Sequence, residues 1–341
     1  MIKTSLFADQ EREAKLNKLG DALQVMEQHV DFAALAAEVD LAAPRPSRER
    51  GGRPPFPTEL MVRVLLIQQL FNLSDEQMEF QLLDRLSFQR FVGLRASSQI
   101  PDRTTIWTFK ERLIQAGASE SVFDAVNRQL SSHGYIARGG QMIDASIVEA
   151  PRQSLSKEEK AIVSEGAMPA DWKPAKRRQK DMDARWTKKH GKSYFGYKVS
   201  ANADKRYKLV RKIKVSTASE HDTTHFEDVL DPANTNRDIL ADKGYVDGER
   251  EARLSKQGWR MHIQRKGSKD KPISEAQQRR NHRIAKTRAR IEHVFAGLAQ
   301  MGGKTLRSIG LARARLHLNW KVAAYNLQRL VYLKEAGVKA F

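Results

Sequence analysis

Apolar positions recur at a helical interval through most of the first 135 residues and alternate from about residue 136 onward. A helical region is therefore expected to precede one containing a sheet. EREAKLNKLGDALQVMEQHV (11–30) joins strong helix formers to apolar residues near every third or fourth position. The linker RPSRERGGRPPFP (45–57) then interrupts, since proline removes a helix donor and clashes with the preceding turn. TELMVRVLLIQQLFNLS reads as a nearly fully buried helix, and SDEQMEFQLLDRL follows, with Ser74 and Gln77 spaced as a capping box. PDRTTIWTFKERLIQ and ESVFDAVNRQLSSHG complete a helical unit over 1–135.

After that the period changes. GQMIDASIVEAP alternates like a strand ending in turn residues. A polar, basic stretch (152–192) has no apolar period and is expected to be a mobile insertion. YFGYKVSANAD and LVRKIKVSTAS read as strands joined by ADKRYK. HFEDVLD is expected to start a helix, RDILADKGY to be a short strand, DGEREARLSKQG a helix and WRMHI a strand. A second basic insertion (264–282) leads into a long helix holding Glu292. The order β, β, β, α, β, α, β, α is that of a ribonuclease-H-like fold, expected over 136–332 with a tail at 333–341.

Charge narrows the function. The net charge is +19, and it is uneven: residues 261–341 hold 18 Lys and Arg against four acids, and 171–198 hold ten against three. Such concentration implies a polyanionic partner, above all nucleic acid. Cysteine is absent, which excludes disulfides and thiolate catalysis and suits a reducing cytoplasm. There is no apolar run of membrane-spanning length and no secretory pattern at the N-terminus, so no membrane partner is expected.

Within this basic chain two carboxylates occupy similar places. Asp144 follows Met142 and Ile143, and Asp242 follows Ile239, Leu240 and Ala241, each in or at the end of a short apolar strand. A charge there needs a partner, and strand ends are where ligands bind in open α/β sheets; the alternative is an aspartate capping a turn. Glu292 is a third acid, set in TRARIEHVFAGLAQMGGK (287–304). Three carboxylates suit phosphodiester cleavage by two Mg²⁺ or Mn²⁺ ions about 3.5–4 Å apart, with Lys and Arg on the DNA backbone.

Other motifs compete. HDTTH (His221, His225) has the i, i+4 spacing of a zinc pair but carries Asp where a zincin has Glu. Asp222 rivals Asp242, although TASEHDTTHF reads as a strand exit and helix cap. GLAQMGGKT fails as a phosphate loop because Gly303 stands where Lys is needed. Arg288 and Glu292 share a helix face and can form a salt bridge. In ERGGRPP, Arg50 or Arg53 can enter a minor groove, or the segment is a rigid linker.

From about 50 to 330 the chain resembles DDE transposases of the insertion-sequence-five group, within the insertion-sequence-four superfamily. The likeness rests on GGRPPFPTELMVRVLLIQQLFNLSDEQMEFQLLDR, PDRTTIWTF, IDASIVEAP, SEHDTTHFEDVL, ADKGY and RARIEHVF. It implies Asp144, Asp242 and Glu292 as the metal-binding catalytic triad, two Mg²⁺ or Mn²⁺ ions, and a helical domain for end binding and assembly. It also implies cleavage at element ends, strand transfer to target DNA, and a dimer or higher synaptic assembly near the nucleoid. Expected phosphate contacts are Arg288, Arg290 and Lys304 near Glu292, Arg177, Arg178, Lys188 and Lys189 in the first insertion, Arg279 and Arg280 in the second, and Arg53 in the linker. The family pattern about the glutamate has Tyr and Lys where this chain has Ala285 and Ala299; Lys304 is the first later lysine. A non-catalytic DNA-binding regulator and a stand-alone nuclease are the alternative functions.

Overall fold

The computed structural model describes residues 5–45, 51, 54–95, 97–268 and 272–341. Arg50 and Arg53 lie outside the described residues. The first helical segment is two helices, α1 (Ala8–Leu19) and α2 (Ala22–His29), parted at Gly20 in the left-handed region. Asp21 restarts the helix by accepting from the Leu23 amide. α3 (Phe32–Ala42) and the largely buried α4 (Thr58–Leu70) follow. α5 (Asp75–Asp84) opens on the expected Ser74–Gln77 capping box. α6 (Leu86–Val92), α7 (Arg103–Gln115) and α8 (Ser121–Ser132) close the helical region.

The sheet begins with β1 (Gln141–Glu149). The insertion after it carries structure of its own. α9 (Lys157–Ser164) opens on a Ser156–Glu159 capping box, and α10 (Pro174–Arg178) and β2 (Arg185–Lys189) come next. β3 (Lys192–Asp204) and β4 (Val210–Thr217) are the expected hairpin. The helix expected from His225 is instead a 3₁₀ turn at Asp222–His225 continued by turns through Val229. β5 (Asp238–Ala241), α11 (Gly248–Lys256) and β6 (Arg260–Ile263) follow. Two long helices finish the fold, α12 (Glu275–Gln300) and α13 (Leu311–Glu335). α12 thus takes in residues read as part of the second basic insertion.

In space the strands run β4, β3, β1, β5, β6, and β2 extends the β4 edge along the other half of the long β3. β1, β3 and β4 pair antiparallel, while β5 and β6 join parallel to β1. That is the mixed sheet of a ribonuclease-H-like fold. α12 and α13 cover one face, with Met142 and Leu240 in the same apolar cluster as Ile284, Ile291 and Trp320. Ile143, Ile239 and Ala241 face the other way, onto Tyr245 and Leu254. The first cluster continues without a break into α2–α8, so the helices and the sheet share a core. The segment read as a tail extends α13 to Glu335 and returns to the body, where Tyr135 Oη donates to Val338 O.

Candidate active site

Strand register sets the two aspartates side by side. β1 and β5 are parallel with Gln141 opposite Ile239 and Met142 opposite Leu240, so Asp144 and Asp242 hold matching positions two residues on. The pairing stops at Met142 and Leu240, and the strands part where the carboxylates stand. Alternation keeps Asp144 on the face of Met142 and Asp242 on that of Leu240, the face covered by α12.

Asp144 accepts from the Ala145 amide at 2.8 Å and from Arg288 Nη1 at 2.6 Å. Burial raises its carboxyl above the usual range, Arg288 and the Ala145 amide oppose the rise, and the neighbouring Asp242 charge adds to it. Asp242 caps the 3₁₀ turn at Lys243–Tyr245, accepting from the Gly244 amide at 2.7 Å. The turn-cap reading and the ligand reading of this residue are thus compatible, since one oxygen serves the cap.

Glu292 lies one turn after Arg288 on α12, 66% exposed and 3.8 Å from Arg288 Nη2. The structure brings Asp144 and Asp242 together and links Glu292 to Asp144 through the guanidinium between them. Among the described residues no three His, Asp or Glu side chains converge as a metal-binding group. The aspartate pair does offer the hard oxygen donors that Mg²⁺ and Mn²⁺ take. Beside it the buried Tyr245 hydroxyl has no hydrogen-bond partner among the described residues, and burial first, then Asp144, Asp222 and Asp242, push its pKa up.

Lys304 reaches the site by a route the sequence conceals. Glu149, at the end of β1, donates its amide to Lys304 O and accepts from the Leu306 amide, both at 2.8 Å. The Lys304 ammonium donates to Ser146 Oγ, and Ser146 is on the same strand face as Asp144. Lys304, Ala299, Glu292 and Lys189 border one depression of about 640 Å³. An ammonium therefore enters the depression that Ala299 lines, carried there by the turn after α12. Gly303 permits that turn, because a Cβ would lie 2.7 Å from Leu298 O. Ser146 and Tyr245 were not singled out in the sequence; the signal for Ser146 was its two-residue spacing from Asp144.

Asp222 pairs with Lys198 at 2.6 Å. Both ring nitrogens of His225 meet carboxylates, Glu220 at 2.6 Å and Asp228 at 2.8 Å, and His221 Nδ1 meets Thr223 Oγ1. The remaining basic residues divide. Arg178, Lys188 and Lys189 are exposed. Arg177 braces the carbonyls of Trp172 and Ala170, Arg280 donates to Ile263 O and Met261 O, and Arg290 donates to Lys205 O. Arg279 sits 3.4 Å from Glu275.

Two family comparisons match the chain. The family described as Transposase DDE domain matches residues 138–327, more than half of the chain, and the one described as Transposase domain (DUF772) matches 10–112. Among solved structures, a cryo-EM structure of a piggyBac transposase synaptic complex with hairpin DNA is similar. It has a TM-score of 0.44 and 13% identity, and the match covers 94% of this chain and 77% of that one.

Proposed function

The chain belongs to the Transposase DDE domain family and is a DNA-cleaving enzyme, and from that premise we propose that Asp144, Asp242 and Glu292 are its catalytic carboxylates. The observation that carries this reading is the matched register of Asp144 and Asp242 at the parting ends of parallel β1 and β5. The three carboxylates would hold divalent cations, Mg²⁺ or Mn²⁺, whose chemistry there would be to activate the attacking oxygen and stabilise the leaving one. Arg288 opposes the burial-driven rise of the Asp144 pKa in the free protein and turns to the DNA phosphate when substrate arrives. Lys304 and Ser146 bind the backbone beside the scissile phosphate, and exposed Lys188, Lys189 and Arg178 hold the flanking strand.

The finer reading is a bacterial-type insertion-sequence transposase of the insertion-sequence-five group, acting in the cytoplasm near the nucleoid. It cuts element ends and joins the freed 3′-hydroxyl to target DNA. The helical region assists end binding and assembly, and joining two ends calls for a dimer or larger complex. Incubation with a plasmid bearing its terminal repeats and Mg²⁺ or Mn²⁺ tests this. Cleavage followed by strand transfer is expected. Asp144→Asn, Asp242→Asn or Glu292→Gln should each abolish cleavage and leave DNA binding intact. Near-normal cleavage by Glu292→Gln overturns the triad, and cutting without joining reassigns the protein as a nuclease.

A further inference from the structure

A cavity of about 280 Å³ lies between α4, α7 and the start of α13, away from the carboxylates. Its walls include Leu65, Leu73, Ile114 and Leu316, and Trp107, half exposed, stands among them. Two polar side chains that line it are 3% exposed and have an atom without a partner among the described residues: Gln68, through Oε1, and Trp320, through Nε1. Gln68 is oriented by its amide nitrogen, which donates to Asp75 Oδ1 at 2.6 Å. His317, one turn before Trp320, adds a third unpartnered atom, Nε2. Burial holds the His317 pKa down to about 3, so the ring is neutral and has one donor and one acceptor nitrogen.

Apart from Arg307 at its mouth, the formal charges that line the cavity are matched. Lys110 pairs with Asp75, and Arg313 pairs with Glu111 at 2.7 Å. An occupant therefore meets no unpaired charge inside. It meets an acceptor (Gln68), a donor (Trp320) and a ring that can be either (His317), between apolar walls. A flat neutral ring with a mixed donor–acceptor edge satisfies that arrangement, and a nucleobase is such a ring. Arg307, exposed where it borders the cavity, with Nη1 on Asn72 O at 2.8 Å, is placed for the attached phosphate.

We propose that this cavity binds a single nucleobase, with Trp107 as its stacking lip and Gln68, His317 and Trp320 reading its edge. The base comes either from an unstacked position in DNA or from a free nucleotide. Only the first source rests on the DNA-cleaving role given above.

Three probes test the assignment on the full-length protein: the four deoxynucleoside monophosphates by calorimetry, a duplex with a one-base bulge against its fully paired counterpart by anisotropy, and the same bulge carrying 5-iodouracil for photo-crosslinking. The bulged duplex should bind roughly ten-fold more tightly than the paired one. Ile114→Trp, which fills the cavity, should erase that preference, and Trp320→Phe, which removes the donor, should weaken it several-fold. Crosslinks should map to the peptides holding Trp107 or Trp320. Monophosphate binding that Ile114→Trp abolishes, with no bulge preference, upholds the base site and assigns it to a free nucleotide. The proposal is overturned if neither probe binds in a way that Ile114→Trp alters, as for a cavity holding only water, or if crosslinks fall solely outside α7 and α13. Should Ile114→Trp not fold, Trp320→Phe and the crosslink on unaltered protein decide. The bulge preference should persist in Asp144→Asn, so failure of the base site and failure of the catalytic triad are separable.

Discussion

Asp144 is held in a conflict that its neighbours only partly relieve. Burial raises its pKa, Arg288 lowers it, and the net shift is upward. Above the folded-state pKa the carboxylate is ionised in both the folded and unfolded chain, and its burial is a cost. Below the unfolded value it is protonated in both, and the cost disappears. Asp144→Asn should therefore be more stable than the native chain at pH 7, with the gap closing as the pH falls through the raised folded-state value toward the ordinary aspartate value of about 4. Urea unfolding at pH 7 and pH 3.5 measures it; an equal or opposite gap at neutral pH refutes the account. Arg288→Met removes the opposing charge, so the acid limb of cleavage should move to higher pH in single-turnover assays. Both aspartates were legible in the sequence because a charge ending a short apolar strand needs a reason. The setting of Glu292 was not, since i, i+4 spacing reveals the Arg288 pair but not that the guanidinium turns toward Asp144. Lys304 was named as a DNA contact, yet its link to Ser146 spans 158 residues, beyond the reach of local pattern.

Elements were legible where a single period governs a whole segment. α4, α5, α7, α8, α11 and strands β1, β3 and β4 follow their hydrophobic patterns closely. Misses arose where a local signal was weak or overridden. Gly20 and Asp21 split an otherwise continuous helix, and the Ser156–Glu159 box starts a helix in the stretch expected to be a mobile insertion. Around HFEDVLD the apolar Phe226 and Val229 are drawn into the core beneath β5, and turns serve that better than a helix. β3 depends on one residue that pattern does not flag. Gly196 has φ +154°, and a Cβ there would overlap Val148 O and lie 2.6 Å from Ala150 N, on the strand that carries Asp144. Gly196→Ala should destabilise the protein by about 2–4 kcal/mol in urea unfolding. A change under about 0.5 kcal/mol would mean that β1 and β3 separate there easily.

At the scale of the molecule, the sequence divided the chain into a helical half and a sheet half, and the structure joins them through one core and one buried cation. Lys321 of α13 is fully buried and donates to Gln69 O near the end of α4 at 2.8 Å and to Met301 O after α12 at 2.6 Å. One ammonium thus ties the last turn of a helical-region element to the end of the helix bearing Arg288 and Glu292, just ahead of Lys304. Carbonyls at helix ends favour a cation, but burial, with Arg307 adding to it, lowers the Lys321 pKa to about 7. The unfolded chain keeps that proton to about pH 10.4. Between these values the unfolded state binds more protons, so this residue makes stability rise with pH, by at most about 1.4 kcal/mol per pH unit. Below about pH 7 both states carry the charge and the full burial cost remains. In Lys321→Met this contribution is absent, so the native chain should gain stability relative to the variant from pH 7 to pH 9. Parallel urea titrations at pH 7, 8 and 9 follow the difference. A difference that stays constant across that range would place the Lys321 titration elsewhere and remove pH control from the joint between the two halves.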